Sequence, residues 1–144
     1  MCSGVRACET FLNIFPGWEV SPLDANGLSG GLLAIWNPLL VDSKSYSCCA
    51  GLLLVGKIRG IQEPIKMVNC CAPYSGKLEF WNKVMESRLL LEQGLILCGD
   101  LNFIISQMEV WGRDAKVDDM VFFFSHMLMQ YKLEDILPVK LSPT

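Results

Sequence analysis

Leu95–Phe103 reads LILCGDLNF, four apolar or thiol-bearing residues running into Gly99-Asp100-Leu101-Asn102. A short continuous apolar run is typical of a central strand covered on both faces. The polar residues after it mark where that strand leaves the core, and ligands gather at such strand ends in layered folds. Asp100 and Asn102 lie two apart, so in an extended chain both point one way while Leu101 points back to the core. One carboxylate beside one amide suits hydrolysis at phosphate. The carboxylate can hold a Mg²⁺-bound water or take its proton, and the amide can orient a phosphate oxygen or the developing anion. The same residues also make an ordinary turn, since Gly, Asp and Asn all favour one.

Working upstream, Ser75 is a candidate N-cap for a helix in which Leu78, Trp81, Met85 and Leu89 line one face. Before it come strand-like runs at Ile65–Ala72, Gly51–Ile58 and Leu32–Trp36, with a looser alternation over Leu39–Cys49 and a short candidate at Trp18–Ser21. Val5–Phe15 has apolar residues at helical spacing, stopped by Pro16-Gly17. Downstream, Asp118–Tyr131 is the clearest helix: Met120, Phe123, Phe124, Met127, Leu128 and Tyr131 form one stripe, and Asp118 and Asp119 favour its N-terminus. Ile136–Leu141 begins as a strand. The order helix, strands, helix, strand, helix, strand predicts an α+β or α/β layered sandwich, as one domain or a piece of one.

At 144 residues the chain can bury a real core. Its 51% hydrophobic content is high against only 19% charged residues. No run approaches the ~18–20 apolar residues of a spanning helix, and MCSGVRACE is not a signal peptide. An intracellular, soluble protein is expected. The apolar excess then points to strands buried on both faces, or to a domain fragment exposing surface it would normally cover. A net charge of −3 excludes a simple electrostatic nucleic-acid binder, though not a nuclease that uses a metal ion for local positive charge. The seven cysteines include no C-x-x-C spacing, and the adjacent pairs Cys48-Cys49 and Cys70-Cys71 would point to opposite strand faces. Buried, reduced thiols are expected.

Three blocks in order, Gly27–Trp36 (GLSGGLLAIW), Val68–Tyr74 (VNCCAPY) and LILCGDLNF, resemble the endonuclease domain of non-LTR (LINE-type) retrotransposons, particularly plant ones. That domain belongs to the endonuclease/exonuclease/phosphatase family, with apurinic endonucleases, DNase I and inositol phosphatases. Glu109–Asp118, EVWGRDAKVD, is similar to the plant retroelement version too, so the resemblance covers nearly the whole chain. It implies an α/β layered sandwich of the family type, Mg²⁺ as cofactor and DNA as partner. The family's G-D-x-N motif falls on Asp100 and Asn102, which would orient the attacking water and contact phosphate. The family strand ending Asn-x-Tyr-Gly/Ala-Pro falls on Asn69–Pro73. Its phosphate-contacting tyrosine therefore lands on Cys71, a shorter group and weaker donor, while Tyr74 lies three residues on. Arg113 is a further phosphate-contact candidate, beside the alternative of an exposed loop arginine. Trp111 could stack on a base or anchor its loop.

The family's other essentials have no clear match. Its metal-binding Glu corresponds only loosely to Glu9, which lies in a helical pattern. Its general base is the His of a Ser-Asp-His motif, whereas His126, the single histidine, sits off the apolar stripe of a helix with no Asp beside it. Ser29, between glycines, lacks the G-x-S-x-G elbow and a histidine partner. The expectation is a partial domain over residues 1–144, lacking the N-terminal and C-terminal strands. It would be a weakly active or inactive piece of a Mg²⁺-dependent DNA endonuclease. The alternatives are a non-enzymatic retroelement remnant that acts through association, including self-association at exposed sheet edges, and an unrelated small α/β binding domain.

Overall fold

The computed structural model describes residues 4–24, 31–105 and 120–136. The chain falls into two compact units, residues 1–102 and 103–144. Helices and strands are both present, so the content is α+β, as expected.

The first unit opens with α1 (Gly4–Ile14). Phe11, Phe15 and Trp18 gather at its end, with ring centroids 4.9, 5.4 and 6.2 Å apart in the three pairings. β1 (Glu19–Leu23) and β2 (Leu32–Trp36) then form a two-stranded antiparallel sheet. The second sheet is four-stranded, in the order β3 (Val41–Cys48), β4 (Gly51–Ile58), β5 (Ile65–Cys71), β6 (Leu95–Asp100). Its first three strands are antiparallel neighbours, and β6 joins β5 in parallel. A parallel pair needs a crossover, here α2 (Lys77–Glu86) and the 3-10 turn Leu89–Leu91.

Period-two alternation sorts the four-stranded sheet into two faces. Leu52 and Leu54 of β4 and Val41 of β3 pack with Leu23, Leu32, Ala34 and Trp36 of the other sheet, forming an apolar seam between the sheets. Side chains of Ser21 and Ser45 meet across the same seam at 2.6 Å. On the opposite face Val68 and Cys70 are wholly buried, as are Trp81 and Val84 of α2. With one face taken by the two-stranded sheet, the crossover helix lies over the other. Each such fully buried aliphatic side chain is worth about 1.5–3 kcal/mol over leaving it in water.

The strand boundaries follow the sequence closely, but α2 does not start as Ser75 suggested. Its N-cap is Gly76 at φ 73°, with no side-chain cap, because the turn into the helix is left-handed and only glycine adopts it without strain. The buried stripe also shifts: Val84 is covered where Leu78 is 49% exposed, and Leu89 belongs to the 3-10 turn. β6 is half-buried and, among the described residues, pairs on one side alone, so it is an edge strand instead of the expected central one.

In the second unit α3 (Val121–Tyr131) buries Phe124 and Met127, and the rest of its expected stripe is half-buried. Phe103 stacks on Phe124 at 4.5 Å, and the Ser125 hydroxyl donates to the Ile105 carbonyl at 3.2 Å. Asp118, Asp119 and most of Ile136–Leu141 lie outside the described residues. No described helix is long and apolar enough to cross a membrane.

Candidate functional site

The parallel pairing of β5 and β6 brings the VNCCAPY and LILCGDLNF blocks side by side at their C-terminal ends. Asn69 is the Cα partner of Cys98, Cys70 of Gly99, and Cys71 of Asp100. The ladder continues one step further, where the Ala72 N–H donates to the Asp100 carbonyl at 2.8 Å. Asn69, Cys71, Asp100 and Asn102 therefore share one rim of the first unit. Cys71 and Asp100 are exposed there, while Asn69 and Asn102 are half-buried.

Gly99 is what allows so close a rim. Its φ is +107°, and a Cβ there would stand 2.2 Å from the Cys70 carbonyl oxygen and 2.8 Å from Asn69 Oδ1. No side chain fits, and L-residues do not adopt that backbone readily. Gly51 performs the same service on the other side of β5, at φ +141° with the Asn69 carbonyl oxygen 2.3 Å from a would-be Cβ. Two strands thus close on Asn69 and Cys70 from both sides.

The two asparagines hold backbone. Asn69 Nδ2 donates to the Leu33 carbonyl of β2 at 3.4 Å, which ties the two sheets together beside the apolar seam. Asn102 Nδ2 donates to the Ala72 carbonyl. Asn102 is also left-handed, at φ 50°, a conformation that asparagine tolerates better than most residues. The extended Asp-x-Asn pair expected from the sequence is thus corrected. The strand ends at Asp100, the chain turns at Asn102, and that amide braces the β5 exit instead of lying parallel to the carboxylate. An asparagine within MVNCC was the sequence signal for the Asn69 tie, because a polar group inside an apolar strand needs a partner.

Thiols surround the rim. Burial pushes the Cys70 thiol up to about 12, with Cys71, Cys48, Asp100 and Cys98 adding further upward pressure. Burial also raises Cys98, whose Sγ donates to the Val68 carbonyl at 3.3 Å. These two are poor nucleophiles, since the thiolate is the reactive form. Of the six described cysteines, all free, Cys70 is fully buried, Cys8, Cys48 and Cys98 are half-buried, and Cys49 and Cys71 are exposed. The expectation of buried thiols thus holds only in part.

Glu9 is exposed on α1, and His126 is exposed on α3 in the second unit. Tyr74 is 83% exposed. Arg113, Trp111 and Ser29 lie outside the described residues. Among the described residues no group of three or more His, Cys, Asp or Glu side chains is placed to hold a metal ion. Among the described residues of the rim Asp100 is the one hard oxygen anion, set among soft thiols, whereas Mg²⁺ takes hard oxygen ligands in octahedral array. That donor set does not by itself make a complete Mg²⁺ site. No family model matches the chain, and no curated protein matches it either.

Proposed function

We propose that this chain is a piece of a phosphodiesterase of the endonuclease/exonuclease/phosphatase type, related to retrotransposon endonucleases and directed at DNA. It keeps the phosphate-facing part of the site, with little or no catalytic turnover. The observation that carries the reading is the juxtaposition, at one rim, of Asn69–Cys71 with Asp100–Asn102 through the parallel β5–β6 pair. The family's sandwich architecture is part of the same proposal, supported by the apolar seam between two sheets and by a crossover helix on the outer face.

In this reading Asp100 is the acidic group, exposed to solvent at the strand end. It would accept a proton from water. Mg²⁺, the family's cofactor, would be held here by Asp100 together with a substrate phosphate and water, and would supply local positive charge. Asn102 uses one amide hydrogen on Ala72 and has a second for a phosphate oxygen. Cys71 stands where the family has a tyrosine, and its thiol gives only a weak contact. The low turnover of this reading rests on the loose matches to the family's metal ligand and base: Glu9 and His126 are each exposed on a helix, not at a strand end.

A nicking assay on supercoiled plasmid with Mg²⁺ tests this. Any slow relaxation by the wild-type protein should disappear in Asp100→Ala, and Cys71→Tyr should increase DNA binding or nicking several-fold. Wild type and both variants behaving identically would remove the phosphodiesterase reading. The remaining alternative is a remnant acting through association, which is favoured by exposed apolar groups such as Leu39, Leu40 and Tyr46.

A further inference from the structure

We propose that the outer edge of β3 pairs with β3 of a second copy of this chain, antiparallel about a two-fold axis at Ser43. Such pairing does not depend on any phosphodiesterase role. Among the described residues β3 is the terminal strand of the four-stranded sheet. It is eight residues long and contains neither proline nor glycine. Terminal strands that stay single are usually blunted, as β1 is by Pro22 and by its shortness. β3 is neither short nor interrupted by proline, and its two charges, which would guard the edge against other strands, form a pattern that fits itself.

Backbone parity fixes which groups face outward. The Arg59 N–H donates to the Leu40 carbonyl at 2.8 Å, and Val41 lies opposite Ile58. In an antiparallel ladder the bonded positions alternate. Leu40, Asp42, Lys44 and Tyr46 therefore turn their backbone groups toward β4, and Ser43 and Ser45 turn theirs outward. The Val41 carbonyl also faces outward, while its N–H is taken by the Asn37 carbonyl at 2.9 Å. An axis at Ser43 lets Ser43 exchange both bonds with its own copy and lets each Ser45 N–H meet a Val41 carbonyl. Both Ser43 groups, the Ser45 N–H and the Val41 carbonyl thus find partners, and the Ser45 carbonyl is left to water.

Side chains match in the same register. Asp42 falls opposite Lys44 of the second copy, twice by symmetry, on the exposed face of the strand. One step out, Leu40 (57% exposed) falls opposite Tyr46 (51% exposed). Directly opposed unlike charges and aromatic–aliphatic pairs both favour strand pairing, and like charges oppose it. Slipping the register by two residues loses the Asp42–Lys44 match and separates Leu40 from Tyr46, so the side chains select the register that the backbone permits. Two four-stranded sheets would join into one continuous sheet.

Sedimentation velocity on the full chain tests the proposal across micromolar concentrations. Wild type should dimerise reversibly, less so as salt rises. Asp42→Lys and Lys44→Asp should each loosen the dimer about tenfold or more, since each replaces two attractions by two repulsions. The double exchange, Asp42→Lys with Lys44→Asp, should restore it. Mixing the two single variants should give a heterodimer, because one doubly positive strand meets one doubly negative strand. Retained circular dichroism in each variant keeps the comparison among folded chains. A wild type that stays monomeric up to about 100 μM overturns the proposal, as does a dimer indifferent to the single variants or a mixture that does not associate.

Discussion

At the seam between the sheets Ala34, Trp36 and Leu52 are at most 9% exposed, and no polar or charged residue of the described chain is buried. On the neighbouring strands, at the β5–β6 rim, Cys71 and Asp100 are exposed and two asparagines each hold a backbone carbonyl. The seam is held by apolar area, which is nondirectional and forgiving of exchange for residues of similar size. The rim is held by glycines with no room for a methyl group and by single hydrogen bonds, which are directional and unforgiving. Strand ends close enough to juxtapose four site residues demand that kind of construction. Much of what looks functional at the rim is also what keeps it together.

The contrast can be broken by substitution. Trp36→Ala should be the costliest change, about 3–5 kcal/mol, because the seam loses its largest side chain and cannot fully collapse around the gap. Chemical denaturation would read it as a lowered midpoint with a similar slope. Gly99→Ala should cost about 2–3 kcal/mol despite adding a single carbon, since φ +107° and the Cys70 carbonyl both resist it. A cost near zero there would mean that β6 does not close tightly on β5.

Asn102 separates the two roles of the rim more finely. Asn102→Gly keeps the left-handed turn and loses the bond to Ala72, at about 1 kcal/mol. Asn102→Ala loses both and should cost about 2 kcal/mol. Equal costs for the two would show that the turn conformation contributes nothing.

The smallest effect concerns Cys70. Its folded-state thiol lies at about 12, above the ordinary value of 9.0, so between those values the unfolded chain gives up a proton that the folded chain keeps. Stability therefore falls as pH rises from about 9 toward 12, and is untouched by this group below that range. Below pH 9, iodoacetamide should label Cys49 and Cys71 promptly and reach Cys70 only on unfolding, as peptide mapping would reveal.

Much of the fold was legible in the sequence. β2 and β4 begin and end where their apolar runs do, and the stripe of α3 predicted the buried Phe124 and Met127. Those segments are decided locally by periodicity and flanking breakers. α2 was placed correctly but entered through Gly76 instead of a Ser75 cap, because a left-handed turn leaves little trace beyond the glycine itself. The division after Asn102 was not legible, since no linker composition marks it. At the site, the Asp100 and Asn102 positions followed from LILCGDLNF, and their adjacency to Asn69 and Cys71 required the parallel pairing, which is a nonlocal fact. The turn at Asn102 was foreshadowed only as the ordinary alternative for Gly-Asp-x-Asn, and it is the alternative that the backbone adopts.

The central claim is that the β5–β6 rim is where this chain meets a phosphodiester. The direct measurement is a ¹H–¹⁵N spectrum titrated with a short DNA duplex in the presence of Mg²⁺. Shifts should concentrate in the amides of residues 69–72 and 99–102, and Asp100→Ala should largely suppress them. Saturating shifts confined to other surfaces, with those amides unmoved, would contradict the claim.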